Sequence, residues 1–266
     1  MNAMPEKPAL QRPAGAGDGA TWLVLGASSA VARAFVRRAA QAGAPRFLLA
    51  GRDQEDLQRQ ATDLRIRNGC AAEVLDFDAR DLASHAGFVS EVERLAAGGT
   101  LDVFLAFGVM PSQAEAEQDP ALLAAMVETN FTGAASILVA VAPLLEANRG
   151  GTVLVLGSVA GDRGRPRNNL YGATKAALGT FLQGYAARLS RAGVRVLCVK
   201  AGPMDTAMTW GGPRLPFMIP PESFADRAWT LVRRGAQGEA YVPRIWQPVM
   251  TVIRLLPRRI FNRLDF

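Results

Sequence analysis

Residues Thr21–Ala40 read TWLVLGASSAVARAFVRRAA. Trp22–Gly26 is a short apolar run without alternation, as in strands buried on both faces. A turn follows, and a helical pattern opens near Ser29. Strand, tight turn and helix in that order begin a nucleotide-binding unit, in which the helix N-terminus faces a phosphate. Such turns usually carry three glycines. Here only Gly26 is glycine, and Ala30 and Ala32 stand where the other two are expected.

The pattern repeats along the chain. Arg46–Gly51, Ala72–Phe77, Leu101–Gly108, Gly151–Ser158 and Val194–Lys200 read as further strands. Helical patterns lie near Ser29–Ala42, Gln54–Arg67, Ser84–Ala97, Pro120–Ala147 and Asn169–Ala192. Alternating strands and helices predict an α/β fold, a doubly wound parallel sheet of Rossmann type in a single domain. The expected organisation is a loose N-terminal tail over 1–19, rich in Pro, Ala and Gly, then a catalytic domain over 20–240. A basic amphipathic tail over 241–266 completes it. Ligands of such sheets bind beyond the carboxyl ends of the strands. That draws attention to Gly26–Ala32, Gly51–Arg52, Asp76–Asp78, Ala106–Gly108, Gly157–Gly161 and Ala201–Thr206.

In NNLYGATKAAL, Tyr171 and Lys175 lie four apart at a helix start and share one face. A phenol with a pKa of about 10 is a poor acid–base group at neutral pH, and an adjacent ammonium favours its ionised form. Alone, such a pair is no more than a helix surface. It is accompanied by Ser158, just after the strand TVLVLG, and by Asn130, a polar amide in an apolar helix that needs bonding partners.

Composition sets limits. The 266 residues carry a formal charge of +6, and 241–266 holds five arginines (Arg244, Arg254, Arg258, Arg259, Arg263) against Asp265. The remainder is nearly balanced, so no body-wide basic face supports a nucleic-acid partner. The cysteines, Cys70 and Cys198, are far apart and His85 is the lone histidine. A disulfide framework or a metal site is not expected, and a reducing compartment, the cytoplasm, fits best. No basic-then-apolar leader opens the chain, and no run of about 18 apolar residues suggests a spanning helix.

Asn130, Ser158, Tyr171 and Lys175, in this order and spacing, resemble the catalytic tetrad of the short-chain dehydrogenase/reductase family. The resemblance covers roughly 20–206. It implies hydride transfer between NAD(P)H and a carbonyl or alcohol carbon. Tyr171 would donate a proton to the carbonyl oxygen, and Ser158 would bond that oxygen. Lys175 would lower the Tyr171 pKa and bind the nicotinamide ribose. Asn130 would hold a water linking Lys175 to solvent.

The family's TGxxxGxG is Leu25-Gly26-Ala27-Ser28-Ser29-Ala30-Val31-Ala32 here. Gly26 keeps the turn, and alanine suits the first helical turn, so a working, slightly reshaped site is expected, with Gly26, Ser28, Ser29, Ala30 and Val31 at the pyrophosphate. The family's NNAG becomes Leu105-Ala106-Phe107-Gly108, placing Phe107 and Gly108 against the cofactor. After the sixth strand come Gly202, Met204 and Thr206, the last matching the residue that bonds the nicotinamide carboxamide. Asp78 matches the acid at the adenine. Arg52, at the end of the second strand, suits a 2′-phosphate. NADP is the expected cofactor and NAD the alternative, because Asp53 follows directly and Ser29 replaces a second basic residue.

GASSAVARA, AFGV, NFTGAASIL, GSVAGDRGR, YGATKAAL and VKAGPMDTAMT together resemble a subgroup containing the reductase subunit of decaprenylphosphoryl-ribose 2′-epimerase. That implies a 2-keto-sugar on a polyprenyl-phosphate carrier. Met204, Met208, Trp210, Leu215, Phe217, Met218 and Ile219 form a loop able to cover an apolar ligand or simply to act as a lid. Trp246, Val249, Met250, Ile253 and Leu256 recur near helical spacing among arginines, until Pro257. This segment suits either peripheral contact with the inner face of the membrane or a contact in a homo-oligomer. Alternatives are a soluble reductase of a small ketone or alcohol, and a non-catalytic dinucleotide sensor, against which the complete tetrad argues.

Overall fold

The computed structural model describes residues 20–96, 98–211 and 215–263. The expected N-terminal tail, 1–19, lies outside the described residues, as do 264–266. Strands and helices alternate as β1 (Thr21–Leu25), α1 (Ala30–Gln41), β2 (Arg46–Gly51), α2 (Gln54–Asn68), β3 (Ala71–Asp76), α3 (His85–Ala96) and β4 (Leu101–Leu105). Two short helices follow, α4 (Gln113–Gln118) and α5 (Pro120–Val127), then α6 (Ala134–Asn148), β5 (Thr152–Ser158), α7 (Asn169–Ser190) and β6 (Arg195–Ala201). The chain continues with α8 (Pro221–Arg233), β7 (Gly238–Val242), α9 (Trp246–Leu255) and α10 (Arg258–Phe261).

All strand pairs are parallel, in the order β3-β2-β1-β4-β5-β6-β7. The order reverses between β1 and β4, and a crevice opens there at the carboxyl ends. Strand residues alternate between two cores. Trp22 and Val24 face α1 and α8, whereas Leu23 and Leu25 face α3, α6 and α7. Phe35 centres the first core, with ring centroids 5.0 Å from Trp22, 4.6 Å from Phe104 and 5.8 Å from Trp229. Burying each such ring contributes about 2–3 kcal/mol.

Several elements differ from the sequence expectation, among them the short helix α4, which was not anticipated. The helix expected over Pro120–Ala147 is interrupted by a π-helical turn at Glu128–Gly133 that carries Asn130. The continuous helical span Pro120–Asn148 is apolar and long enough to cross a membrane by composition, yet packs on α3 and α7. The helix α8 and strand β7 were not anticipated, and the boundary expected at Tyr241 falls inside β7. The segment after it is docked on the domain, through Trp246 and Met250 against Val159.

Candidate active site

The turn after β1 explains the missing glycines. Gly26 adopts φ +81°, and a Cβ there would lie 2.7 Å from the Cβ of Phe107, so both backbone and space demand glycine. The amides of Gly26 and Ala27 donate to the Ala50 carbonyl at 2.9 and 3.0 Å, tying the turn to β2. The Ser29 hydroxyl accepts from the Ala32 amide at 3.1 Å and caps α1. Ala30 and Ala32 are therefore helical, with no strain. Ala30 faces the crevice, whereas Ala32 is wholly buried in the core.

A cleft of about 530 Å³ opens at the strand ends. Gly26, Ser28, Ser29, Ala30, Val31, Arg52, Asp78, Phe107 and Gly108 line it on one side. Ser158, Tyr171, Lys175, Gly202, Met204 and Thr206 line the other. The sequence thus places every expected cofactor contact on one cavity.

Asn130 is the exception among the four chemical residues. It is buried behind Gly108, where a Cβ would come within 3.2 Å of its Oδ1 and 3.4 Å of Lys175 Nζ. Its Oδ1 accepts from the Val109 amide at 2.7 Å, and its Nδ2 donates to the Val109 carbonyl at 2.8 Å and to Thr174 Oγ1 at 3.2 Å. The Thr174 hydroxyl in turn donates to the Tyr171 carbonyl at 2.7 Å. Neither Val109 nor Thr174 was singled out from the sequence. Thr174 lies one residue before Lys175, and its burial is a consequence of α7 packing.

Ser158 ends β5, and its hydroxyl accepts from the Ala160 amide at 3.1 Å, which fixes its direction. Lys175 is buried and donates from Nζ to the Leu156 carbonyl at 3.1 Å. Its ammonium lies 5.8 Å from the Tyr171 ring centre. Burial lowers the Lys175 pKa to about 8, so the ammonium persists at neutral pH. The expectation that Lys175 would lower the phenol's pKa is corrected here. Burial pushes Tyr171 up to about 12, and the Ser158 hydroxyl only partly counters it. Tyr171 is therefore held protonated at neutral pH, the form that donates a proton.

At the far end, Arg52 is exposed on the cleft rim just after β2. Asp53 does not line the cleft. Its carboxylate accepts from the Asp56 amide at 3.1 Å and caps α2. The acid that could have served a ribose hydroxyl is thus engaged in the helix. Asp78 sits opposite, its Oδ1 accepting from the Arg80 amide at 2.9 Å.

The substrate side contains residues the sequence reading passed over. Arg165 and Asn168, on the loop between Ser158 and Tyr171, line the cleft, as does Trp246 from α9. The indole of Trp246 lies so close to Gly202 that a Cβ there would meet its Nε1 at 2.0 Å. Any side chain at position 202 would push α9 away from the cleft.

These residues fit a dinucleotide. A positive-φ glycine and a helix N-terminus flank a cavity, a cation stands on the rim at one end, and hydroxyls with an ammonium converge at the other. Comparison with known proteins agrees with that geometry. The short chain dehydrogenase family profile matches residues 20–212. An uncharacterized oxidoreductase of Mycobacterium tuberculosis is 34% identical over 243 residues, covering 91% of this chain and 96% of its own. Sulfoacetaldehyde reductase 2 of Chromohalobacter salexigens is 34% identical over 189 residues, 70% of this chain and 73% of its own. A short-chain dehydrogenase of Sphingobium yanoikuyae, solved in complex with NADPH, superposes with a TM-score of 0.75 at 25% identity, covering 90% of this chain and 96% of that one. The chain belongs to the short-chain dehydrogenase family of oxidoreductases.

Proposed function

We propose that this protein uses NADP(H) to interconvert a ketone and a secondary alcohol. The observation that carries the reading is the convergence of Ser158, Tyr171 and Lys175 on a cleft that begins at the α1 N-terminus. A dinucleotide bound there would supply the hydride. The Gly26 turn and α1 would hold its pyrophosphate, and Arg52 would meet a 2′-phosphate as a charge-assisted donor. Thr206 would bond the carboxamide, and Lys175 the ribose hydroxyls. The Ser158 hydroxyl bonds the carbonyl oxygen and stabilises the charge that develops on it. The Tyr171 phenol donates its proton to the same oxygen. Asn130 acts as a positioning residue, its Nδ2 donating to Val109 and Thr174 and its Oδ1 accepting from the Val109 amide. The NADPH complex of the Sphingobium relative and the engagement of Asp53 in α2 both favour NADP over NAD.

For the substrate, we favour a 2-keto-sugar on a polyprenyl-phosphate carrier, with the arginine-rich C-terminal segment contacting the inner face of the membrane. The apolar lining by Met204, Met208, Leu215 and Trp246 supports a long apolar substrate. A small soluble ketone, with the segment serving a homo-oligomer, is the competing reading. A dinucleotide sensor would leave the hydroxyl pair without a purpose.

The test pairs binding with turnover. NADPH titration followed by tryptophan fluorescence gives saturable binding for wild type and Tyr171→Phe. Turnover against a panel of ketones falls about 10²–10⁴-fold in the variant. A variant retaining more than about a tenth of wild-type activity would remove Tyr171 from its place as the proton donor.

A further inference from the structure

The exposed apolar side chains gather in one region. Eight of the thirteen large ones exposed among the described residues fall between Met208 and Ile260. Trp210 is 87% exposed, Leu255 78%, Val252 60% and Phe217 53%. Two segments contribute, the loop that follows β6 and the helices α9 and α10.

These segments meet at the mouth of the cleft. The rings of Phe217 and Trp246 pack edge to face, with centroids 6.0 Å apart and planes at 89°. Phe217 sits at φ +56°, a costly conformation for a bulky residue, while its ring lies on Trp246. Met208, Leu215 and Trp246 themselves line the cleft. The apolar surface therefore rims the opening.

The outer face of α9 is presented rigidly. Trp246 and Met250, one turn apart, pack inward on Val159, which leaves Val252 and Leu255 outward. Arg163, in the loop after Ser158, donates to the carbonyls of Ile253, Arg254 and Leu256 at the end of this helix. Its guanidinium also lies 3.7 Å from the Phe261 ring centre. The helical part of this face is cationic, while the loop after β6 exposes Asp205. From Tyr241 to Arg263 the chain carries five arginines and no acid. Arg254, Arg258, Arg259 and Arg263 are exposed.

We propose that Met208, Trp210, Leu215 and Phe217, together with the outer side of α9 and α10, form one docking surface for an anionic lipid bilayer, seated so that the cleft opens onto the membrane. Apolar side chains enter the interface while arginines meet head groups. A symmetric contact with a second copy would set this arginine cluster against itself, which favours the bilayer. The inference deepens the proposed reaction and rests on it in one respect, that an amphiphilic ketone would reach Tyr171 directly from the lipid.

The tryptophans supply the test. Trp22 and Trp229 are core residues and Trp246 is buried, so lipid-borne quenchers read Trp210. The full-length protein is mixed with vesicles of phosphatidylcholine carrying about 30 mol% phosphatidylglycerol, with and without brominated acyl chains. Expected are flotation at low salt, release at about 0.5 M NaCl, and quenching that Trp210→Phe removes. Arg258→Gln and Arg259→Gln each weaken partitioning about fivefold. Binding without Trp210 quenching overturns the two-segment surface and leaves contact by the C-terminal helices alone. Absence of flotation at low salt overturns docking altogether. So does a dimer that Val252→Ser and Leu255→Ser convert to monomer, since a second copy then covers the face. Oxidation of NADPH by soluble ketones without vesicles checks the reductase reading separately, and its failure leaves the vesicle result standing.

Discussion

Asn130 holds Val109 by both edges of its backbone, accepting from the amide at 2.7 Å and donating to the carbonyl at 2.8 Å. Through Thr174 the same amide reaches the Tyr171 carbonyl, so one buried side chain joins the loop after β4 to the helix that carries Tyr171. The π-helical turn at Glu128–Gly133 places it there, and such insertions in helices are frequent at functional sites.

Asn130→Ala is expected to destabilise the protein and loosen the cofactor site together. The part-buried amide and carbonyl of Val109 lose their partners, at up to about 1 kcal/mol each where water can replace them. The melting temperature should fall by roughly 2–4 °C per kcal/mol. Affinity for NADPH should weaken as well, because Gly108 beside Val109 lines the cleft. Faster exchange of the Val109 amide, measured by NMR, distinguishes this positioning role from a general loss of packing. Unchanged melting and unchanged NADPH affinity would contradict it.

Arg52→Ala is expected to weaken NADPH and spare NADH. A charge-assisted contact with the extra phosphate accounts for about a tenfold loss or more. The variant should bind both cofactors about equally. Asp53→Asn, which keeps an acceptor for the α2 cap, should not alter the preference, because Asp53 faces the helix rather than the cleft. Calorimetric titration with each cofactor decides the matter. Equal losses for NADPH and NADH, or a wild-type preference for NADH, would refute the assignment.

Much of this arrangement was legible in the chain because the parallel strands are apolar on both faces and each ends in a Gly- or Asp-bearing turn. Ser158, Tyr171 and Lys175 could be read together from type and spacing. Other parts depended on contacts that no local pattern carries. Strand β7, Gly238–Val242, is short, at the sheet edge and half polar, so it lacks the apolar run that marks its neighbours. Helix α8 does carry a signal, with Phe224, Ala225, Ala228, Trp229 and Val232 buried along one stripe facing α1. Trp246 and Arg165 reach the cleft from far apart in sequence, and only the folded chain brings them to it. The pKa of Tyr171 was misjudged for a related reason. Sequence shows the ammonium neighbour but not the burial, and burial dominates.

Asp102 provides a pH-dependent test of stability away from the cleft. It is wholly buried at β4, where Oδ1 accepts from the Thr152 amide at 2.6 Å and Oδ2 has no hydrogen-bond partner. Burial raises its pKa from 3.8 to about 7, against the opposing pull of the Thr152 amide and Arg195. A carboxyl whose folded pKa lies above its unfolded value binds its proton more tightly when folded. Its contribution to stability is therefore full below about pH 4 and is lost as pH rises to about 7, on the order of 4 kcal/mol across that window. Asp102→Asn keeps an acceptor for Thr152 and cannot ionise. The melting temperature of the variant minus that of wild type should grow between pH 5 and pH 8 and be positive at pH 8. Burial lowers the pKa of His85, which therefore acts in the opposite sense. It is common to both proteins, so the difference cancels it. A melting difference that stays constant from pH 5 to pH 8 would show that Asp102 is ionised throughout and that the fold carries the buried charge without penalty.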